Sequence, residues 1–480
     1  VVVAVSEELV EQARIRLRPG MHFHLVGIGG SGMSAIAWVL LGHGFTVSGS
    51  DMQTNEVTRA LDEAGATVYQ GHDAAHIAGA DALVISSAIP ESNAEVVAAE
   101  AARLPVLKRA DFLGALMVSA RGVAVAGSHG KTTTTSLIAH ILLEAQRDPS
   151  VIVGGVLPTL GRAGRAGQSD LFVVEADEYD YMFLGLQPQV EVITNIEHDH
   201  PDIFPTPDVY RDAFKRFVQR LPAGGTLIAC ADDPGVRDLL SEIERTDIDT
   251  VTYGLDENGE RYDLTGVDVR SNRFGGSDFV VLADGETIGL ARIRLPGKHN
   301  IRNALAAIAA CRTLGMTFGE MYPALADFGG VGRRFQVLGE VRGVTVVDDY
   351  AHHPTEIRAT LAAARQRYPG RRLWAVWQPH TYSRTKLLLE EFAASFDEAD
   401  RVTVLDIYPS RERDTLGIDS GLVVSKMTHD DAHHIGAMEA AAAYILDRIR
   451  PGDVLLTLGA GDGDQVGRRV LARLEERVRS

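Results

Sequence analysis

The chain has 480 residues, 45% of them hydrophobic and 23% charged. At about 100–200 residues per domain this predicts two to four packed domains and excludes a disordered chain. A formal charge of −18, from 47 Lys and Arg against 65 Asp and Glu with no long basic run, excludes a nucleic-acid scaffold, which needs clustered cations to displace counterions.

Anionic small molecules can still bind such a chain where backbone N–H groups, Lys, Arg or a metal ion hold them. Two cysteines, Cys230 and Cys311, give no disulfide framework and suit a reducing cytoplasm. The apolar start Val1–Val5 is too short for a signal peptide, and no stretch approaches a membrane-spanning helix.

Short apolar runs alternate with longer helical patterns, which predicts α/β architecture with parallel sheets. His22–Val26 reads as a strand, Ser34–Leu41 as a helix and Thr46–Ser48 as the next strand. Between the first two lies Gly27-Ile28-Gly29-Gly30-Ser31-Gly32, a G-x-G-x-x-G loop, and Asp51 follows the second strand. Glycines there let backbone approach a pyrophosphate, the helix N-terminus supplies a positive dipole end, and an acid can hold a ribose hydroxyl. The loop does not distinguish a nicotinamide dinucleotide from a UDP-sugar. A strand at Ala82–Ile85 and a helix at Asp111–Val118 complete the first unit, whose boundary is placed near residue 118.

The next strand, Val123–Ala126, leads into Gly127-Ser128-His129-Gly130-Lys131-Thr132-Thr133 and a helix. This is a shortened phosphate loop, because Val125 stands where G-x-x-x-x-G-K-[ST] has its first Gly. Lys131 would neutralise β/γ-phosphate charge and Thr132 would place a hydroxyl on Mg²⁺. The strand Leu171–Val174 delivers Glu175 to the sheet's carboxyl edge, where acids of this kind reach the metal. Another strand, Val190–Ile193, precedes Asn195-Ile196-Glu197-His198-Asp199-His200, which brings imidazole and carboxylate to the same edge. With no Cys nearby and phosphates to serve, Mg²⁺ is expected there rather than zinc. Alternation through Gly266–Leu295 around Asp284-Gly285 predicts a β excursion with a hairpin turn. The helix Ile301–Leu314, stopped by Gly315, follows, and the flexible connector Phe328–Gly332 places the second boundary near 331.

The third unit alternates again: strand Val344–Val347, helix Thr355–Tyr368, strand Leu373–Trp377, helix Ser383–Phe396, then strands Val402–Leu405 and Val454–Leu458. Gly459–Gly463 imitates a further phosphate loop but reads as packing or a substrate contact of the third domain. His433-His434 reads as an ordinary surface pair, and Trp374 and Trp377 as core and cleft wall.

Taken together, G-S-H-G-K-T-T-T-T from 127, E-A-D-E-Y-D at 175–180, N-I-E-H-D-H at 195–200, P-G-K-H-N-I-R-N-A-L at 296–305 and G-R-R-F at 332–335 resemble the Mur ligases. So do D-D-Y-A-H-H-P at 348–354 and Q-P-H-T-Y-S-R-T at 378–385. These are ATP-dependent, amide-bond-forming ligases of peptidoglycan synthesis. The first loop and the D-D-Y-A-H-H-P box are similar to the branch that adds alanine to UDP-N-acetylmuramate. The resemblance implies an α/β fold of three domains. They are an N-terminal Rossmann-like UDP-sugar domain (1–118), a central P-loop ATPase-like domain with a small β excursion (119–331) and a C-terminal Rossmann-like amino-acid domain (332–480).

It also implies roles. Gly27, Gly29, Gly30, Ser31, Gly32 and Asp51 would bind the UDP part of the sugar. Gly127, Ser128, His129, Gly130, Lys131, Thr132 and Thr133 would hold ATP, with Thr132, Glu175 and His198 on Mg²⁺ or Mn²⁺. His299, Asn300 and Asn303 would lie by the adenine. Arg334 and Asp348 or Asp349 would complete the nucleotide site once the third domain closes. Tyr350, His352 and Arg384 would meet the alanine, and His352 or the carboxylates near Asp349 would accept its proton. Lys131, Arg334 and His352 are therefore the expected catalytic residues. Phe214 stands where several Mur ligases carry a modified lysine, and Thr381 where many carry Arg. No nucleic acid, membrane or obligate protein partner is implied. An NAD-dependent dehydrogenase would leave Lys131, Glu175 and the third domain unused, and a regulatory ATPase would hydrolyse ATP without regard to an amino acid.

Overall fold

A computed structural model describes residues 17–118, 120–257 and 259–479; the apolar start lies outside them. Its first sheet contains β1 (His22–Val26), β2 (Thr46–Asp51), β3 (Thr67–Gln70), β4 (Ala82–Ile85) and β5 (Val106–Lys108) in the order β3-β2-β1-β4-β5. All its pairings are parallel. The crossovers run through α1 (Ser31–Gly42), α2 (Glu56–Glu63) and α3 (Ala94–Ala101), and α4 (Arg109–Met117) follows β5. The order reverses between β1 and β4, so the loop after β1 opens onto the crevice where such sheets take ligands.

The central sheet has ten strands. They are β6 (Arg121–Ala126), β7 (Ser150–Leu157), β8 (Arg162–Arg165), β9 (Leu171–Glu175), β10 (Val190–Ile193), β11 (Thr226–Cys230), β12 (Asp249–Leu255), β13 (Leu264–Ser271), β14 (Ser277–Ala283) and β15 (Glu286–Ile293). Their order is β15-β14-β13-β12-β11-β10-β6-β9-β7-β8. The phosphate-loop strand β6 is therefore flanked by β9, which ends in Glu175, and β10, which leads to Asn195–His200. The excursion is not a separate sheet: β13 pairs parallel to β12, and the hairpin β14–β15 turns at Asp284-Gly285. Helices α5 (Lys131–Glu144), α6 (Pro207–Val218), α7 (Pro234–Glu242), α8 (Lys298–Thr313) and α9 (Phe318–Asp327) cover this sheet.

The third sheet orders β16 (Gln336–Val341), β17 (Val344–Asp349), β18 (Leu373–Trp377), β19 (Arg401–Leu405), β20 (Ala432–Gly436) and β21 (Val454–Leu458) as β16-β17-β21-β18-β19-β20. Only β16 runs antiparallel. Its helices are α10 (Pro354–Arg367), α11 (Tyr382–Leu387), α12 (Leu389–Ala393), α13 (Ser420–Lys426), α14 (Met438–Leu446) and α15 (Asp464–Arg479). The single helix expected over Ser383–Phe396 is two: the chain breaks at Leu388, and α12 sets Phe392 on Trp377 with ring centroids 4.8 Å apart.

The first two sheets share one continuous core, in which Phe23, Phe112 and Met117 belong to the same buried cluster as Phe183, Leu186 and Phe217. Helix α1 lies directly on β8, where a Cβ at Gly164 would overlap the Ala35 carbonyl. Such close packing joins the two units through a shared, densely filled interior. The third sheet has its own cores, one per face, with Trp377 in one and Trp374 in the other. Among the described residues no helix is long and apolar enough to cross a membrane.

Candidate active site

After β1 the chain turns through Gly27 at φ 83°, a left-handed conformation that glycine adopts without penalty. The N–H groups of Gly27 and Ile28 donate to the Ser50 carbonyl at 2.8 and 3.0 Å. Gly29 N–H donates to Asp51 Oδ2 at 3.0 Å, so the acid expected on a ribose here braces the loop itself. Helix α1 opens at Ser31 behind Gly30 with no side-chain cap and no acid in its first turn. Its N-terminal partial charge is therefore left for a ligand.

In the second loop a Cβ at Gly127 would overlap Thr194 Oγ1, and one at Gly130 would lie 2.6 Å from Asn303 Oδ1. Both are at positive φ, and Gly130 is the uncapped N-cap of α5. Neighbouring strand ends hold the loop. His129 N–H donates to Asn195 Oδ1 at 2.8 Å, and Ser128 Oγ lies 2.9 Å from Tyr210 OH. Lys131 Nζ donates to the Gly127 and Ser128 carbonyls at 2.5 and 3.1 Å and pairs with the fully buried Glu178 at 2.8 Å. Burial alone would lower the ammonium pKa, but Glu178, Asp177 and Glu175 outweigh it and hold the group charged. Thr132 Oγ1 donates to Glu175 Oε1 at 2.9 Å, while Gly154 N–H holds Oε2 at 2.6 Å. Thr133 is buried along the cavity described next.

His198 and His200 part company. His198 Nε2 lies 2.7 Å from the Phe204 carbonyl within its own loop, and it makes no hydrogen bond to Thr132 or Glu175 among the described residues. His200 sits at φ 54°, which turns its ring so that Nε2 is 3.6 Å from Glu178 Oε1 and Nδ1 is 3.4 Å from Arg384 Nη2. A chain of polar contacts thus runs Lys131–Glu178–His200–Arg384 from the phosphate loop to the third domain.

A cavity of about 550 Å³ lies between the central sheet and the third domain. His129, Gly130 and Thr133 form its phosphate-loop end, and His299, Asn300 and Asn303 face it from the first turns of α8. Tyr253, Leu295, Ala359 and Ala363 supply apolar wall, and Arg334, Phe335 and Asp349 close it from the third domain. Burial pushes His299 down to about 4, so it is neutral, and Asn300 Nδ2 lies 3.0 Å from its Nε2. Asp349 lines this cavity and Asp348 does not. Asp349 accepts Phe335 and Ala351 N–H groups at 2.7 and 2.8 Å, and burial raises it to about 6 despite Arg334. Asp348 is spent on Thr457 Oγ1 at 2.7 Å and Arg333 Nε at 3.2 Å. Arg334 Nη2 reaches to 3.4 Å from Thr132 Oγ1, and its guanidinium lies 4.9 Å from the Tyr350 ring centroid.

The seam beside the cavity is closed by charge. His129 Nε2 is 3.0 Å from Glu197 Oε2 and its Nδ1 is 3.2 Å from Glu356 Oε1, while Thr355 Oγ1 donates to Glu197 Oε1 at 2.6 Å. Burial opposes protonation of His129, but Glu356 and Glu197 outweigh it and raise the imidazole to about 10. Glu356 also accepts the His352 and His353 N–H groups at the head of α10. Deeper in, the buried Arg384 donates from Nε to Asp199 Oδ1 at 2.8 Å and lies 3.3 Å from His380 Nδ1. His352 Nδ1 is 2.9 Å from the Tyr350 carbonyl, so that nitrogen carries the proton and Nε2 keeps its lone pair. Burial pushes this imidazole to about 3.

Thr381 holds φ 66°, a costly conformation for a β-branched residue, immediately before α11 presents Arg384. Phe214 is buried against Phe183 and Tyr210. The Gly459–Gly463 loop is filled by Gln378, which donates to Asp462 and accepts from Gly463 N–H. His433 and His434 pair with Asp431 and Asp406. The sequence assigned no individual role to Glu178, Tyr210 or Glu356, and offered Asp199 and His200 only as part of the hexapeptide that brings imidazole and carboxylate to this edge. Glu178 and His200 stand inside quoted motifs, whereas nothing local marks Tyr210 or Glu356.

The chain was compared with known proteins. Residues 22–139 match the model of the Mur ligase family catalytic domain, 125–311 that of the Mur ligase middle domain, and 333–461 that of the Mur ligase glutamate ligase domain. A UDP-N-acetylmuramate–L-alanine ligase of Roseiflexus sp. (strain RS-1) is 46% identical over 475 residues, covering 95% of this chain and 100% of that protein. The enzyme so named in Pelotomaculum thermopropionicum is 42% identical over 458 residues, covering 95% and 98%. Among solved structures, UDP-N-acetylmuramate–alanine ligase of Thermotoga maritima matches with a TM-score of 0.79 at 27% identity over 95% of this chain and 100% of that one. A murein peptide ligase of Psychrobacter arcticus matches with a TM-score of 0.71 at 26% identity, covering 95% and 99%.

Proposed function

Because this chain belongs to the Mur ligase family, we propose how its three-part cleft carries out the ligation. The reaction is the ATP-dependent joining of L-alanine to UDP-N-acetylmuramate in peptidoglycan precursor synthesis. The observation that carries the mechanism is the cavity bounded by the phosphate loop, the head of α8 and the third domain, which Arg334 lines while its Nη2 lies 3.4 Å from Thr132 Oγ1.

A carboxylate is a poor acyl donor, since its leaving group would be oxide. Attack of the lactyl carboxylate on the γ-phosphorus of ATP releases ADP and gives an acyl phosphate. The alanine amine then adds to that carbonyl, phosphate leaves, and the ammonium proton passes to a base. The first step is phosphoryl transfer, so positioning and charge neutralisation dominate. In our reading Gly127–Thr133 cradle the phosphates, and Lys131 and Arg334 neutralise charge developing on the transferred group. His299, Asn300 and Asn303 surround the adenine, and Gly27–Gly32 take the diphosphate of the UDP-sugar. The hydroxyl of Thr132 and the carboxylate of Glu175, 2.9 Å apart, are hard oxygen donors that suit Mg²⁺. His200, which contacts Glu178, would add the imidazole expected of His198. Bound there, the ion supplies Lewis-acid neutralisation of the phosphates.

For the second step, Arg384 and Tyr350 would receive the amino acid. The carboxylate of Asp349, raised by burial to about 6, would accept the amine proton more readily than His352, whose imidazole burial makes a weak base. Closure of the third domain excludes water from the acyl phosphate. ATP, UDP-N-acetylmuramate and L-alanine are the substrates, and we place the enzyme in the cytoplasm. The two free cysteines and the lack of a membrane-length helix among the described residues support that placement.

The test incubates the protein with ATP, Mg²⁺ and UDP-N-acetylmuramate together with L-alanine, glycine, L-serine or a tripeptide, and follows phosphate release and product mass. Release should depend on UDP-N-acetylmuramate and L-alanine, and Lys131→Ala should lower turnover by about 10³-fold or more. Phosphate release indifferent to every amine would refute the mechanism.

A further inference from the structure

Arg109 belongs to none of the motifs that carry the ligase reading, yet its guanidinium lies against Gly32, the last glycine of the first-domain loop. A Cβ at Gly32 would overlap Arg109 Nη1, so this glycine makes room for a cation. The loop Gly27–Gly32 itself carries no Lys or Arg. Arg109 opens α4 and reaches over the uncapped head of α1 to the central domain, where Nη2 meets Asp177 Oδ2 at 3.3 Å and Met182 Sδ at 3.0 Å. Its Nε is buried without a partner, and the side chain is only 20% exposed. A guanidinium offers five donors, and among the described residues one long ion pair and one thioether are all that meet them. An incompletely satisfied, partly desolvated cation beside an uncapped helix N-terminus favours a doubly anionic group with several acceptor oxygens.

We propose that Arg109 is the positioning residue for the pyrophosphate of the UDP-sugar, exchanging Asp177 for the phosphate oxygens. This rests on the reading of Gly27–Gly32 as the UDP-sugar loop and adds the cation which that loop lacks. Asp177 also belongs to the field that holds Lys131 charged, so the exchange links the arrival of the sugar nucleotide to the ATP loop. The other anion on this substrate is the lactyl carboxylate, and the choice of ligands separates the two.

The experiment measures binding of UDP, UDP-N-acetylglucosamine and UDP-N-acetylmuramate to the full-length protein by calorimetry, for wild type, Arg109→Ala, Arg109→Lys and Asp177→Asn. Arg109→Ala should weaken all three ligands by about ten- to a hundredfold. Arg109→Lys should recover part of that, and KM for ATP should move less than KM for the sugar nucleotide. Asp177→Asn, which removes the competitor, should bind UDP as tightly as wild type or more tightly. A loss confined to UDP-N-acetylmuramate would overturn the proposal in favour of a carboxylate contact. Equal binding by Arg109→Ala and wild type would overturn it outright, as would a loss in Asp177→Asn matching that in Arg109→Ala, which would mark a merely structural pair. Wild type failing to bind any of the three would instead remove the UDP-sugar reading beneath it. Thermal unfolding of each variant keeps loss of binding distinct from loss of fold.

Discussion

At position 200 a histidine sits in the left-handed region, and that single backbone choice aims its ring at Glu178 and Arg384 while His198 turns to the Phe204 carbonyl. The hexapeptide offers two imidazoles of equal chemistry, and no spacing rule separates them. We expect His200→Ala to lower turnover by about 10–100-fold and to raise the Mg²⁺ concentration needed for half-maximal rate; His198→Ala should change either by no more than a few-fold. Titrating Mg²⁺ against turnover for both variants decides between them, and a larger loss in His198→Ala would return the role to that residue. Asp348 and Asp349 pose the same problem on a strand. Successive side chains of β17 point to opposite faces, so one must face the cavity and its neighbour the interior, and only register says that Asp349 has the cavity.

Elements were legible where they are apolar and missed where they are polar. The predicted helices at 34–41 and 301–314 begin at Ser31 and Lys298, three residues earlier in each case. Apolar periodicity cannot see a first turn whose residues face a ligand, and those turns hold Ser31, Gly32, His299 and Asn300. The converse is Glu191, an ionisable residue inside the fully buried strand β10. Both its carboxyl oxygens lack partners among the described residues, and burial raises its pKa well above the ordinary value despite Arg245 and Arg220. A carboxyl that stays neutral in the fold while the unfolded chain ionises costs stability as pH rises above about 4.5. Glu191→Leu should therefore stabilise the protein by about 1–3 kcal/mol at neutral pH. Its stability should also decline less between pH 4.5 and 7 than that of wild type, as urea unfolding at several pH values would show. An unchanged pH slope would mean that the group is ionised and paired.

For the whole molecule, the third domain is held on the central one by two kinds of contact. Asp199–Arg384 is a buried ion pair, with the carboxyl held well below its ordinary range and the guanidinium above its own. It persists across the accessible pH range. Of the titrating contacts, His129–Glu356 and Glu197–His353 cross between the domains, whereas His129–Glu197 lies within the central one. A histidine raised from 6.5 to about 10 contributes fully below 6.5 and loses that contribution as pH rises through about 10. Glu197, lowered from 4.5 to about 2 chiefly by His129 and His353 against the cost of burial, contributes above 4.5 and loses that as pH falls through about 2. Closure should thus be tightest between pH 4.5 and 6.5 and loosen on the alkaline side. Small-angle scattering should record a growing radius of gyration from pH 6.5 to 10, and His129→Gln should abolish the trend. A flat wild-type profile would show that Asp199–Arg384 and the remaining contacts suffice alone.

The sequence by itself determined the α/β class, the two glycine loops and the family. Each loop rests on residues close in the chain, where strand, turn and helix head must occur in fixed order to make a phosphate cradle, and the family on several such local motifs in order. Tertiary structure alone decided that His200 rather than His198 contacts Glu178, that Asp349 rather than Asp348 lines the cavity, that Gln378 fills the third glycine loop, and that Arg109 covers Gly32. These choices depend on backbone handedness, strand register and contacts between segments far apart in the chain, and local pattern carries none of the three.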